Sequence, residues 1–312
     1  PMSSVFTLTL TLSRVSNLPT VWTNCMVAWA INQSVEKIVG QTPAWHDPSF
    51  FDWSALGWLL VGASFVYAGG CVLNDAFDYE YDQKYNPIRP IPSGAISCST
   101  VWGIGLGFLF VGSAFLIGMS SCSFPLVVCL ITAVCLYDWI HKKWSGSVWI
   151  MGSCRTFLWL VAASAGGMQI LDQLFVCSLC VGGYVVGISL FARNESKGKA
   201  PSDLSSRLAI FLLFAPCLLA LCLLILWNHL DPTRVFLLNC IGLYLGWIVI
   251  NAILTMRNSN EYGAIGKGVS RLLAGICIVD ALAVSFFIPS LIAPCCLAQF
   301  FAQILQKKFA AT

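Results

Sequence analysis

Nine stretches of about 17 to 22 predominantly apolar residues limit what this chain can fold into, because each is long enough to cross roughly 30 Å of hydrocarbon as a helix. They lie near residues 17–34, 54–74, 101–119, 123–140, 147–167, 173–192, 207–227, 234–254 and 271–293. Segments that cross lipid must satisfy their own backbone hydrogen bonds, so the reading is an all-α, polytopic membrane protein. The spans predict nine transmembrane helices in a single transmembrane domain over residues 1–312. Composition agrees: 10% of residues are charged and 58% hydrophobic, against roughly 25% charged in soluble domains.

The loops carry the orientation. Nine spans place Arg14, Lys84, Arg89, Lys142, Lys143, Arg193, Lys197, Lys199, Arg207, Arg257, Lys267 and Arg271 on one side, against Lys37, Arg234, Lys307 and Lys308 on the other. A bias of that size puts the richer side in the cytosol or its organellar equivalent. The net charge of +3 follows from this asymmetry and does not indicate a nucleic-acid partner. The chain begins at Pro1 and lacks a signal-peptide pattern, which leaves open both a removed leader and a start within a longer chain.

The second span ends in Asn74-Asp75-Ala-Phe-Asp78-Tyr-Glu-Tyr-Asp82, followed by Lys84, Asn86 and Arg89. On a helix Asp75, Asp78 and Asp82 share one face. Like charges so placed repel. A hard divalent cation such as Mg²⁺ between them would relieve that repulsion, and Mg²⁺ held by few carboxylates completes its shell with water and substrate phosphate. The plainer alternative is a solvated acidic helix end. Lys84 and Arg89 favour a polyanion beside the acids.

With this topology the ends of the second, fourth and sixth spans meet at one membrane face. The fourth ends in Tyr137-Asp138-Trp-Ile-His141-Lys142-Lys143 and the sixth in Ala192-Arg193-Asn194-Glu195. Tyr137, Lys142, Arg193 and Glu195 are the candidates for a shared polar pocket, whereas Trp139, Trp144, Lys143, Lys197 and Lys199 read as interfacial anchors. Arg155 and Asp280 sit deeper, about 12 to 14 Å from the same face. Charges at that depth pair or line a polar cavity. The expectation is therefore a direct Arg155–Asp280 contact, or a pocket floor lined by both. Gly103, Gly105 and Gly107 read as helix-packing positions.

Two superficial motifs carry nothing. The 15 cysteines are scattered through apolar segments, and Cys177-Ser-Leu-Cys180 lies inside a span, where a thiol behaves as a small hydrophobe. Gly263-Ala-Ile-Gly266-Lys267-Gly268 lacks the Ser/Thr and the strand–helix context of a phosphate loop.

Together these residues resemble the UbiA-type intramembrane prenyltransferase family over nearly the whole chain. Asn74-Asp75-x-x-Asp78-x-x-x-Asp82 is similar to that family's first aspartate-rich motif, Asn86 to Gly94 to the segment after it, and Tyr137 to Lys142 to its tyrosine–lysine element. The resemblance implies nine helices around a central cavity. It also implies Mg²⁺-dependent transfer of an isoprenoid from a prenyl diphosphate to a lipophilic, usually aromatic, acceptor within membrane lipid. On that basis Asn74, Asp75, Asp78 and Asp82, with Glu195, would hold the metal. Lys84, Arg89, Lys142 and Arg193 would take the diphosphate, and Tyr137 or Asp138 would steady the allylic cation or handle the acceptor proton. Asn17, Asn24, Arg155 and Asp280 would line the cavity.

One segment departs from the family pattern. Where a second D-x-x-x-D motif is usual, this chain has Ser189-Leu-Phe-Ala-Arg193-Asn-Glu195, with one carboxylate and an added cation. That segment, with Arg14-Val-Ser-Asn17-Leu-Pro19-Thr20-Val-Trp22-Thr-Asn24, is similar to a divergent UbiA-like subgroup associated with secondary-metabolite or pigment gene clusters. Two alternatives follow: a site with one metal fewer and Arg193 partly in its place, or a non-catalytic protein that binds or carries an isoprenoid or pigment precursor.

Overall fold

A computed structural model describes residues 5–38, 51–196, 203–226, 230–258 and 263–308, and the side chains of residues 5–7, 35–38 and 195–196 fall outside the description. Lys197 and Lys199, predicted as anchors, lie outside the described residues, as does the side chain of Glu195.

The described residues are helical, without a strand. In chain order the helices are α1 (Val5–Leu12), α2 (Leu18–Ile38), α3 (Trp53–Phe77), α4 (Tyr79–Tyr85), α5 (Cys98–Ala114), α6 (Phe124–Ile140), α7 (Ser147–Ala163), α8 (Asp172–Ser196), α9 (Leu204–Leu226), α10 (Pro232–Arg257), α11 (Ala264–Phe287) and α12 (Ile292–Lys308). Each of the nine predicted spans coincides with one of these helices. Among the described residues seven segments are both long and apolar enough to cross a membrane: α3, α5 with its π-helical extension to Met119, α8, α9, α10, α11, and Pro289–Lys308, which contains α12. α6 and α7 are apolar but span 17 residues each. α2 is long enough at 21 residues, yet it carries Thr20, Thr23, Asn24, Asn32 and Gln33, all buried. Its polarity is spent inside the bundle, where a lipid-facing helix could not tolerate it.

α11 forms the middle of the bundle: 78% of its apolar window is buried, against 22% for α9 and 17% for Pro289–Lys308. It packs against α2, α8, α10 and α12. α7 ends earlier than expected, at Ala163, because Gly166 and Gly167 take positive φ values of 77° and 72°. Their amides donate to the carbonyls of Ser120 and Ser121 and tie the α7–α8 turn to the α5–α6 turn.

α3 and α5 approach each other closely through glycines. A β-carbon at Gly105 would stand 2.6 Å from Leu73 Cγ, and one at Gly112 2.8 Å from the Gly62 carbonyl oxygen. Gly105 is thus a packing position, as expected. Gly103 and Gly107 are not, since nothing lies within 4 Å of a β-carbon at either; at 100° per residue they point away from the seam that Gly105 and Gly112 share.

The chain's end corrects the predicted topology. The ninth span was expected to finish the bundle, but α12 turns back along α11 and α2. The Gln306 amide donates to Asn17 Oδ1 at 3.4 Å, and Tyr244 donates to Gln299 Oε1 at 3.1 Å. Lys307 and Lys308 therefore lie on the membrane face of the acid motif, not opposite it. The error came from treating a 17-residue segment of modest apolarity as a tail.

Candidate functional site

α3 delivers the acid motif. Asp78 closes α3 and opens α4, and its irregular position barely interrupts the ladder: its amide donates to the Asn74 carbonyl at 3.0 Å and its carbonyl accepts from Asp82 at 2.8 Å. The helical register of the three aspartates therefore holds. Each already has a cation. Arg89 Nη1 sits between Asp75 Oδ1, at 3.1 Å, and Asp82 Oδ2, at 2.7 Å. Asn86 holds the other Asp82 oxygen at 2.9 Å. Asp78 pairs with His141 Nε2 and Lys142 Nζ, each at 3.2 Å, one on each carboxylate oxygen. Burial pushes the Asp78 carboxyl up, but the hydrogen bond and charge of His141, then Lys142, outweigh it and hold the group below the ordinary carboxylate value.

The end of α6 supplies the partners. His141 faces the Asp138 carbonyl with Nδ1 at 3.1 Å and stacks on Tyr137 with ring centres 5.0 Å apart. Lys142 also lies over the Tyr81 ring at 4.5 Å. Asp138 itself is buried; its Oδ1 accepts from Asn74 Nδ2 at 2.9 Å, and its Oδ2 has no partner among the described residues. The C-terminal turn of α8 joins through Arg193, which donates to the Ser145 carbonyl and to Ser147 in the α6–α7 turn. The ends of α3, α6 and α8 are thus brought together at one face.

Not every candidate joins them. Lys84 is exposed and lies over its neighbour Tyr85 at 5.2 Å, away from the acids. Asn17 is buried and accepts from Gln306 in the α2–α12 packing. Arg155 and Asp280 make no direct contact: Arg155 Nη1 donates to Asn24 Oδ1 at 3.0 Å, and Asn24 Nδ2 donates to both Asp280 oxygens at 2.8 and 2.7 Å. An amide fills the gap where an ion pair was expected.

Two residues were missed. His141, given no role from the sequence, takes one Asp78 oxygen; its place four residues after Tyr137, on the same helical face, was the available signal. Arg14 reaches Asn74 Oδ1 with Nη2 at 3.4 Å. It does so from a left-handed backbone, φ 45° and ψ 49°, that non-glycine residues seldom adopt. Nothing local in the sequence marks that strain.

The donor set suits a hard divalent ion. Asp75 and Asp82 already aim oxygens at one cationic nitrogen, so the point where they converge is built for positive charge. No group of three or more His, Cys, Asp or Glu stands ready around such a point among the described residues. Arg89 would have to yield its place.

The sequence of residues 38–265 matches the model of the UbiA prenyltransferase family. The chain is 38% identical to the digeranylgeranylglyceryl phosphate synthase of Saccharolobus solfataricus over 76 residues, 24% of this chain and 26% of that protein. It is 29% identical to the synthase of the same name from Thermococcus gammatolerans over 116 residues, 36% and 42% of the two chains. The matches thus span about a quarter to two fifths of the length of these curated relatives. The fold is similar to a solved structure described as "Structural and mechanistic insights into the biosynthesis of Digeranylgeranylglyceryl phosphate synthase in membranes", with a TM-score of 0.60 and 19% identity, covering 92% of this chain and 99% of that one. It is also similar to the apo structure of a UbiA homolog from Aeropyrum pernix K1, with a TM-score of 0.59, 12% identity, and coverage of 88% and 98%. With the family model covering residues 38–265 and the acid motif at the end of α3, this chain belongs to the UbiA prenyltransferase family.

Proposed function

We propose that this protein transfers an isoprenoid chain from a prenyl diphosphate to a lipophilic acceptor inside the membrane, with Mg²⁺ at the acid motif. The observation that carries the reading is the convergence of Asp75 and Asp82 on Arg89 Nη1, beside the pairing of Asp78 with His141 and Lys142. Carboxylates and cations so interleaved are suited to exchange partners when a metal diphosphate arrives. In this reading residues 1–312 form one domain in which the nine predicted helices and the returning α12 cross the membrane around a cavity, with the acid motif facing the cytosol.

Asn74, Asp75, Asp78 and Asp82 are the candidates to hold the ion, with Glu195 as a further one. A bound ion would neutralise charge that develops on the departing diphosphate, the step at which stabilisation accelerates the reaction most. Arg89, released from Asp75 and Asp82, joins Lys142, His141 and Arg193 in binding the diphosphate oxygens. Tyr137, stacked on His141, is the candidate to steady the allylic cation. Asp138 Oδ2, buried and without a partner among the described residues, takes the acceptor's proton. The isoprenoid tail lies among apolar side chains, each buried CH₂ contributing about 0.8 kcal/mol.

The relatives are named digeranylgeranylglyceryl phosphate synthases, which makes geranylgeranyl diphosphate and a geranylgeranylglyceryl phosphate the first pair to test, followed by phenolic acceptors. The experiment is diphosphate release by purified protein with Mg²⁺. Release that is lost with EDTA and with Asp78→Ala supports the transferase. A second reading, a lipid carrier without turnover, is favoured by one observation: Asp75, Asp78 and Asp82 are all paired with the protein's own basic side chains. Tight prenyl diphosphate binding without release across the panel would establish it.

A further inference from the structure

Asp78 is held by two basic side chains, and each of them rests on a tyrosine ring. His141 Nε2 takes one carboxylate oxygen and Lys142 Nζ the other, each at 3.2 Å. His141 stacks on Tyr137, one turn back along the chain, with ring centres 5.0 Å apart. Lys142 lies over Tyr81, which belongs to a different segment, α4, with its Nζ 4.5 Å from the ring centre. Tyr81 follows Asp78 by three residues, a spacing that puts the two on one helical face. Carboxylate and ring therefore reach the same ammonium together.

Tyr81 is itself held in place. Tyr85, one turn further along α4, lies against it with ring centres 4.6 Å apart, and Lys84 lies over the Tyr85 ring at 5.2 Å. The two rings form a ladder with an ammonium group on each. Packing does not account for Tyr81: it is 44% exposed and belongs to neither buried apolar cluster of the described residues. Its hydroxyl makes no hydrogen bond among the described residues, which leaves the ring face as the part that acts.

Lys142 needs such a hold. It sits in the turn beyond the end of α6 at Ile140, its side chain is 40% exposed, and a lysine stem is long and flexible. Asp78 fixes it only while that carboxylate is not engaged elsewhere, and Asp78 is a candidate to be taken over by the incoming metal diphosphate. An ammonium released at a half-exposed mouth would swing into water. An aromatic face attracts the cation without neutralising it, so the charge stays available to an anion. A carboxylate in the same place would hold Lys142 but would cancel its charge and repel the diphosphate.

We infer that Tyr81 is the positioning residue for Lys142: its ring keeps the ammonium at the mouth of the acid motif while Asp78 exchanges Lys142 for the substrate. This rests on the diphosphate binding proposed above and deepens it. Tyr81 takes no part in bond making or breaking.

The test compares Tyr81→Phe, Tyr81→Leu and Tyr81→Glu in the full-length protein. Equilibrium binding of geranylgeranyl diphosphate with Mg²⁺ is measured without acceptor, so that no transfer is required. Tyr81→Phe should bind as the wild type does. Tyr81→Leu should bind about two- to fivefold more weakly, the value of one exposed cation–π contact, and Tyr81→Glu more weakly still. In a Lys142→Met background Tyr81→Leu should add no further loss, because the ring then has no cation to hold. In the transfer assay Tyr81→Leu should raise KM for the prenyl diphosphate by the same factor with kcat unchanged; a misfolded fraction would lower kcat and leave KM alone. Without metal or ligand, acylation of Lys142 by an N-hydroxysuccinimide ester, read by mass spectrometry, should quicken in Tyr81→Leu and not in Tyr81→Phe. Equal binding by wild type and Tyr81→Leu, a Tyr81→Phe variant as weak as Tyr81→Leu, or the same loss in the Lys142→Met background overturns the assignment. Binding in the expected order without diphosphate release sinks the transferase reading and upholds this one, whereas a wild type that does not bind overturns both.

Discussion

Asn74 donates from Nδ2 to Asp138 Oδ1 at 2.9 Å, joining the acid motif of α3 to the end of α6 and leaving Asp138 Oδ2 buried without a partner among the described residues. One oxygen is fixed and the other is offered, which is how a general base is positioned. Asp138→Asn keeps the shape and removes the base. Transfer should slow by about 10²- to 10⁴-fold, with prenyl diphosphate binding unchanged. A steady-state assay that finds full activity in Asp138→Asn removes Asp138 from the mechanism.

Asp78 gives the pH dependence. Its carboxyl is held below the ordinary value because His141 and Lys142 outweigh the opposing effect of burial. The folded protein therefore releases this proton more readily than the unfolded chain. The stability from this group is complete above the unfolded carboxylate value, about pH 4, and is lost as pH falls through the lower folded value. The thermal midpoint of the wild type should exceed that of Asp78→Asn at neutral pH, and the gap should close only below about pH 4. A gap that is constant through the acid range contradicts the pairing.

The α3–α5 seam separates two glycines that look alike in the sequence. A methyl group at Gly112 would meet the Gly62 carbonyl at 2.8 Å, and backbone cannot rotate aside. Gly112→Ala should cost about 1–3 kcal/mol by overpacking. Gly107→Ala meets nothing within 4 Å and should gain up to about 1 kcal/mol from helix propensity. Thermal unfolding of the two variants side by side checks the crossing.

The return of α12 is a topological prediction. A biotin-acceptor tag fused after residue 312 and one inserted beside Ser145 should be labelled from the same side of the membrane, because Gln306 reaches Asn17 on the acid-motif face. Labelling from opposite sides rules out the antiparallel course of α12.

All nine predicted spans met a helix because hydrophobic length is a local property, readable one segment at a time. The acid register was legible for the same reason: Asp75, Asp78 and Asp82 keep their spacing through the irregular residue between α3 and α4. α12 was not legible, since its modest apolarity becomes a packed helix only when α2 and α11 offer it a seam. Nor was the choice of partner at each charge. Arg89 closes on Asp75 and Asp82, His141 takes Asp78, and Asn24 stands between Arg155 and Asp280. Charge type and depth follow from the sequence. Which groups pair is decided when helices distant in the chain become neighbours, and a single amide is then enough to turn an expected ion pair into a relay.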